Sequence, residues 1–294
     1  MSWVSRLGIS GLLFGMFWAG AVPLMAQDAR EIMEQVRDRE DGRTEVSRMK
    51  LVTCRTIKRD GRLVCAEEPR IKLFESVRKD YGTDEQDSRS VMIIREPADE
   101  RGIGFLQYDH SEQGQDSDQW MYLAALNKVK RIVAGNPDEP KTGSFFGSEI
   151  GYEDLENRHL DDYVYHIVKE ETWQQRPCWI IESRPVPEHS SRSNYSRSIQ
   201  WVDQERLLNL KTLLYDRQGQ PLKQILATQV EQQEGIWVTR QLHVFNVQTR
   251  RQTSMVIEAL AFNVEVADEF LTQRALTDAA FREGTLQQLT RQLR

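Results

Sequence analysis

Leu210-Lys211-Thr212-Leu213-Leu214-Tyr215-Asp216-Arg217-Gln218-Gly219-Gln220-Pro221-Leu222-Lys223-Gln224-Ile225-Leu226 reads as two β-type runs folded about a turn. Arg217-Gln218-Gly219 supplies the turn, and the flanking runs have strand length and strand composition. A second hairpin follows at once, with runs at 221–231 and 236–247 hinged on Glu234-Gly235. Connections this short impose antiparallel neighbours, because parallel strands need crossovers of roughly a dozen residues or more. The signal extends outward in both directions. Runs of the same kind lie at 48–57, 62–67, 70–79, 90–95, 103–109, 119–124, 128–133, 162–171, 177–183, 195–203, 207–215 and 252–262. Asp60-Gly61 and Asn136-Pro137 mark further turns, and the whole predicts one long antiparallel meander.

Several of these strands are apolar on both faces: Val91-Met92-Ile93-Ile94, Trp120-Met121-Tyr122-Leu123 and Tyr163-Val164-Tyr165-His166-Ile167-Val168. A half-buried sheet alternates instead, so something must cover the second face. A strongly curved sheet closed by a helix over an apolar interior satisfies this, and so does a closed lipocalin-like barrel. The pattern alone does not choose between them.

Helices belong to the ends. Ala29, Ile32, Met33 and Val36 recur at helical spacing from Asp28, and Gly42 ends the pattern. Residues 278–292 form a helical tail with Leu286 and Leu289 on one face. Residues 1–26 read as a secretory signal peptide: Arg6, an apolar stretch at 7–22, the helix-breaking Pro23 and a small residue, Ala26, before the expected cut. Export permits disulfides. A loop at Arg59-Asp60 would set Cys54 and Cys65 directly opposite, whereas a loop at Asp60-Gly61, with the better turn chemistry, sets them on a diagonal. They are a candidate disulfide, and Cys178 in an apolar strand reads as a small core residue.

The 294 residues, 39% hydrophobic and 29% charged, exclude disordered, collagen-like and multi-span membrane classes. A net charge of -6 argues against a general nucleic-acid binder. No catalytic motif of known mechanics appears: no His-Glu-x-x-His, no Gly-x-Ser-x-Gly, no phosphate loop and no dinucleotide fingerprint. The histidines are scattered and three cysteines lack paired metal spacing, so neither a metal site, a cofactor nor an enzyme is expected. The adjacent carboxylates Glu153 and Asp154 diverge on a short helix, which suits capping better than acid–base work.

Gly143-Ser144-Phe145-Phe146-Gly147-Ser148-Glu149-Ile150-Gly151-Tyr152-Glu153-Asp154 resembles the Gly-Ser-Phe-Met-Gly-Ser-Asp-Phe-Ser-Tyr-Glu-Asp signature of outer-membrane lipoprotein-sorting proteins of the LolA-like superfamily. Other stretches fit in order from about residue 28 to about 276. They include Pro97-Ala98-Asp99, Gly104-Phe105-Leu106, Gln119-Trp120-Met121-Tyr122-Leu123, Lys130-Arg131-Ile132, Tyr195-Ser196-Arg197, Trp201-Val202-Asp203 and Gly235-Ile236-Trp237. Phe146, Glu149, Ile150, Gly151 and Ala124 depart from the family pattern conservatively. The resemblance implies a mainly β protein with some α, a strongly bent antiparallel sheet forming an incomplete β-barrel, with helices closing a hydrophobic cavity. On that reading residues 27–276 are the LolA-like domain and 277–294 a helical tail. It also implies a periplasmic carrier in a Gram-negative cell that takes a lipid or lipoprotein acyl chain between the two membranes. A resistance-nodulation-division-type exporter and transient contact with a membrane surface are the implied partners. A lipid-sensing regulatory or exporter-accessory module on the same fold is the alternative. Candidate cavity residues are Met92, Ile94, Trp120, Tyr122, Phe145, Phe146, Trp201, Trp237, Met255 and Ile257.

Overall fold

The computed structural model describes residues 28–82, 85–136 and 138–293, so the expected signal peptide lies outside the described residues. The chain opens with α1 (Ala29–Arg37), whose N-cap Asp28 accepts a hydrogen bond from the Arg30 N–H. The first meander then runs through β1 (Thr44–Arg59), β2 (Arg62–Cys65), β3 (Arg70–Tyr81), β4 (Asp87–Glu96), β5 (Gly104–Asp109), β6 (Asp118–Leu123) and β7 (Lys128–Ile132). An irregular segment, 133–162, leads to the second meander. That comprises β8 (Tyr163–Trp173), β9 (Arg176–Pro185), a single turn α2 (Pro187–Ser190), β10 (Tyr195–Asp203), β11 (Asn209–Asp216), β12 (Pro221–Gln233), β13 (Ile236–Asn246) and β14 (Arg251–Phe262). Two helices, α3 (Gln273–Thr277) and α4 (Ala279–Leu289), follow.

All the strands form one 14-stranded antiparallel sheet in the order β7-β6-β5-β4-β3-β1-β14-β13-β12-β11-β10-β9-β8, with β2 paired to β1 alone. The two meanders meet where β1 pairs with β14, and among the described residues β7 and β8 are the unpaired edges. Register shifts at Arg48/Met49, Leu73/Phe74, Ile167/Lys169 and Trp201/Val202 mark bulges, which bend and twist a sheet. The sheet is therefore curled but not closed. Its first hairpin turns on Asp60-Gly61, both at positive φ, so Cys65 pairs opposite Thr56 and the bridge to Cys54 runs diagonally, with Cα atoms 5.7 Å apart.

Strand parity divides the core. One face carries Met49, Leu51, Phe74, Met92, Ile94, Phe105, Met121, Leu242, Met255 and Ile257, linked pair by pair across neighbouring strands. The segment after β7 reaches strands of both meanders on this side, so it is the inner, concave face. Farther along the same face α1 packs Ile32, Met33 and Val36 on Ile181 and Val202. The opposite face of the first meander carries Val46, Val77, Val91, Leu106, Trp120 and Tyr122 under α3 and α4. At Gly104 a Cβ would stand 2.7 Å from the Leu276 side chain, so the glycine permits α3 to approach closely.

Of the helices, α1 packs on the inner face, whereas Leu286 and Leu289 join the outer cluster and put the carboxyl-terminal helices on the outer face. One feature departs from expectation. Strand β8, whose apolar run suggested cover on both sides, is an edge strand with Val164 47% and Val168 56% exposed. The other two-sided strands are interior to the sheet: Val91 and Ile93 face α3 and α4, while Met92 and Ile94 face inward.

Candidate functional site

The inner apolar cluster is filled by a piece of the chain itself. Within residues 143–156 a local bridge joins Ser144 to Gly151, and the Phe145 N–H donates to the Ile150 carbonyl at 2.8 Å. Gly143 begins the turn at φ +107, and a Cβ there would strike the Tyr152 ring at 2.9 Å. This tight fold projects Phe145 and Phe146 inward. The Phe145 ring lies 5.7 Å from Phe74 and 5.4 Å from Phe105, Phe146 lies 5.9 Å from Phe74, and Tyr152 stacks on Phe105 at 6.0 Å. Both phenylalanines are buried. A cavity of about 100 Å³ remains beside Phe146, between Leu51, Thr53, Arg70 and Lys72.

Polar tethers hold this segment to both halves of the sheet. Gln119 donates to the Tyr152 carbonyl and Gln107 to the Leu155 carbonyl, at 3.1 and 2.8 Å. On the other side Arg251 pairs with Glu149 at 2.6 Å. Asp154 accepts from Lys223 at 2.6 Å, from the Tyr195 hydroxyl at 2.5 Å and from the Gly151 N–H at 2.7 Å. Burial, followed by the Asp154 charge, pushes the Tyr195 hydroxyl pKa well up. Glu153 points elsewhere and accepts from Ser193 and Asn194. Glu156 pairs with Lys141 at 2.6 Å; burial outweighs that cation and lifts its carboxyl to about 7.

Of the ten candidates, Met92, Ile94, Phe145, Phe146, Met255 and Ile257 come together in this inner cluster. Trp120 and Tyr122 do not. They face outward beneath the terminal helices, Trp120 against Tyr108 and Tyr122 donating to Asn127. Trp201 and Trp237 lie on the outer face of the second meander, with the Lys211 ammonium 4.0 Å over Trp201 and the Arg206 guanidinium 4.4 Å over Trp237. The reasoning from sequence missed Gln107 and Gln119, although buried glutamines in otherwise apolar strands signal inward hydrogen-bonding duties. It also missed Lys223 and Arg251, whose partners are 69 and 102 residues away and leave no local trace.

A second, larger cavity of about 550 Å³ opens between the two sheet edges. Its lining mixes charges: Asp116, Asp118, Arg131, Lys141, Arg158 and Arg192 among others, with Ile132 from the inner cluster at one side. Among the described residues no group of three or more His, Cys, Asp or Glu side chains is placed to hold a metal ion. Cys178 is buried, and that burial raises its thiol pKa. No helix among the described residues is long and apolar enough to cross a membrane.

The open, curled antiparallel sheet is that of a LolA-like protein. A DUF1329 family protein from Desulfovibrio piger ATCC 29098 matches at 25% identity with a TM-score of 0.73, over 84% of this chain and 97% of that one. A Vibrio parahaemolyticus protein assigned as an outer membrane lipoprotein-sorting domain matches at 25% identity and TM-score 0.72, over 85% and 98%. A LolA superfamily protein from Nitrosomonas europaea, at 15% identity and TM-score 0.60 over 84% and 98%, shares the fold. No match was found among curated proteins. Residues 86–278 match the family model described as “-like: Uncharacterized protein”, more than half of the chain, and the chain belongs to that family.

Proposed function

We propose that this protein is a periplasmic carrier that binds a lipid or lipoprotein acyl chain against the inner face of its sheet. The Phe145–Phe146 segment would occupy that face when cargo is absent. The observation that carries the reading is this segment: an apolar plug in an apolar cleft, tied down by side-chain bonds rather than by strand pairing. Likeness to a lipoprotein-sorting domain supports it.

The energetics favour exchange. Withdrawing two phenylalanine side chains costs about 1.5–3 kcal/mol each. Burying a sixteen-carbon chain returns on the order of 12 kcal/mol at about 0.8 per CH₂. The difference drives loading, while the returning plug lowers the cost of release. Met92, Met121 and Met255 line the same face, and flexible thioethers adapt to chains of different shape. Export by the amino-terminal segment, delivery from a resistance-nodulation-division-type exporter and brief contact with a membrane surface belong to the same proposal, which assigns no catalytic step.

The test is mass spectrometry of organic extracts from protein purified gently from its native periplasm. A stoichiometric lipid or acylated peptide is expected. Protein that emerges empty and also refuses a panel of lipids in vitro would leave the inner face as ordinary core.

A further inference from the structure

The cavity between the sheet edges is lined by six Asp and Glu and four Lys and Arg side chains, and three of the four cations are neutralised locally. Arg131 pairs with Asp118, Arg192 with Asp116 and Lys141 with Glu156. Arg158 differs. Among the described residues its guanidinium has no ion-pair partner; it donates to Ser198 Oγ at 3.4 Å and lies 5.2 Å from the Tyr163 ring centroid. The nearby carboxylates are already held, Glu153 by Ser193 and two donors of Asn194 at 2.5–2.7 Å and Asp154 by Lys223 and the Tyr195 hydroxyl. A partly buried guanidinium with most of its five donors unused is a recognition group awaiting an acceptor. His189 and Asp162 beside it hold one another at 3.3 Å.

The cavity also adjoins the plug. Glu153 and Glu156 belong to the segment that carries Phe145 and Phe146, and Ile132 is shared between the cavity and the inner apolar cluster. A chain replacing the plug would therefore bring its polar end into this opening. At about 550 Å³ the opening is of the size that small-molecule groups occupy.

We propose that Arg158 seats the oxyanion, carboxylate or phosphate, of an amphiphile whose apolar chain lies against the inner face. The inference rests on the carrier reading and adds the charge class of its cargo. A neutral headgroup would offer those donors no ionic acceptor.

Calorimetric titration of the delipidated full-length mature protein tests it with four twelve-carbon probes, each below its critical micelle concentration. They are dodecyl phosphate, dodecanoate, neutral glycerol monododecanoate and dodecyltrimethylammonium. At least one anion should bind roughly tenfold or more tighter than the neutral and cationic probes. Arg158→Gln should erase that preference by weakening the anions, whereas Arg274→Gln, exposed on α3 and outside the cavity, should preserve it. A preference for dodecyl phosphate alone would identify a phosphate seat, and equal preference for dodecanoate a general oxyanion seat. Anions binding no tighter than glycerol monododecanoate would overturn the seat and leave the carrier reading standing. No binding of any probe would remove both. The wild-type comparison decides even if Arg158→Gln fails to fold.

Discussion

Lys223 shows how much one residue carries. Its ammonium, 2.6 Å from Asp154 and 2.9 Å from the Tyr195 hydroxyl, sits on a strand of the second meander and fixes a segment that also binds the first. Both members of the ion pair are nearly buried, so removing one leaves an uncompensated charge at a cost of about 3–5 kcal/mol. Lys223→Met should therefore destabilise the protein by that order in urea unfolding and speed hydrogen exchange selectively at 143–156. The double variant Lys223→Met with Asp154→Asn should recover part of the loss. Glu156 makes a different prediction. Its carboxyl titrates near 7 in the folded protein against an ordinary 4.5, so the folded state holds the proton more tightly. The contribution to stability is fully present below about 4.5 and is lost as pH rises through about 7, with a ceiling on the order of 3 kcal/mol. Glu156→Gln should remove that fall, so the melting-temperature difference between variant and wild type should grow between pH 5 and 8. Asp80, raised by burial to about 6, contributes its own fall to both proteins and cancels from the difference.

At the scale of elements, the segment 143–156 separates a structural from a functional role. Phe146→Ala removes a buried ring and should cost about 3–5 kcal/mol. If the ring stands in for cargo, the same variant should take up a fluorescent fatty acid more readily than wild type, despite being less stable. Reduced uptake in a folded variant would instead make Phe146 part of the binding surface. The strands themselves were legible: every predicted β run coincides with an observed strand, because turn chemistry and strand composition are local properties. The face each side chain uses was not. Trp120 and Met121 are adjacent, equally apolar and point to opposite sides; only the curl of the whole sheet makes one side concave. The same ignorance of edges misread β8, since Val164 and Val168 look like core until the strand order leaves β8 with one neighbour. Signature residues 143–154 were recognisable as a motif, but their place inside the curl depends on partners in β5, β6, β12 and β14.

For the molecule as a whole, the sheet has two faces with separate duties, and one comparison can tell them apart. Leu286 of α4 is buried against the outer face, where it packs in the cluster of Val77, Val91 and Leu276. Leu286→Ala should cost about 2–5 kcal/mol through the cavity it leaves. Because the sheet lies between this site and the inner face, affinity for lipid at a temperature where the variant is folded should not change. Met255, on β14 and facing inward, contributes less to the core because it is only partly buried. Met255→Asp should therefore weaken cargo binding more than it lowers stability, since a carboxylate in the path of an acyl chain must be desolvated. Lipid retention after gel filtration, read beside thermal unfolding, gives both quantities on the same samples. Loss of retention with the Leu286 variant, and none with the Met255 variant, would make α3 and α4 the lid and move the binding surface to the outer face. The opposite pattern follows if the curl of the sheet builds the cargo site and the terminal helices brace it from outside.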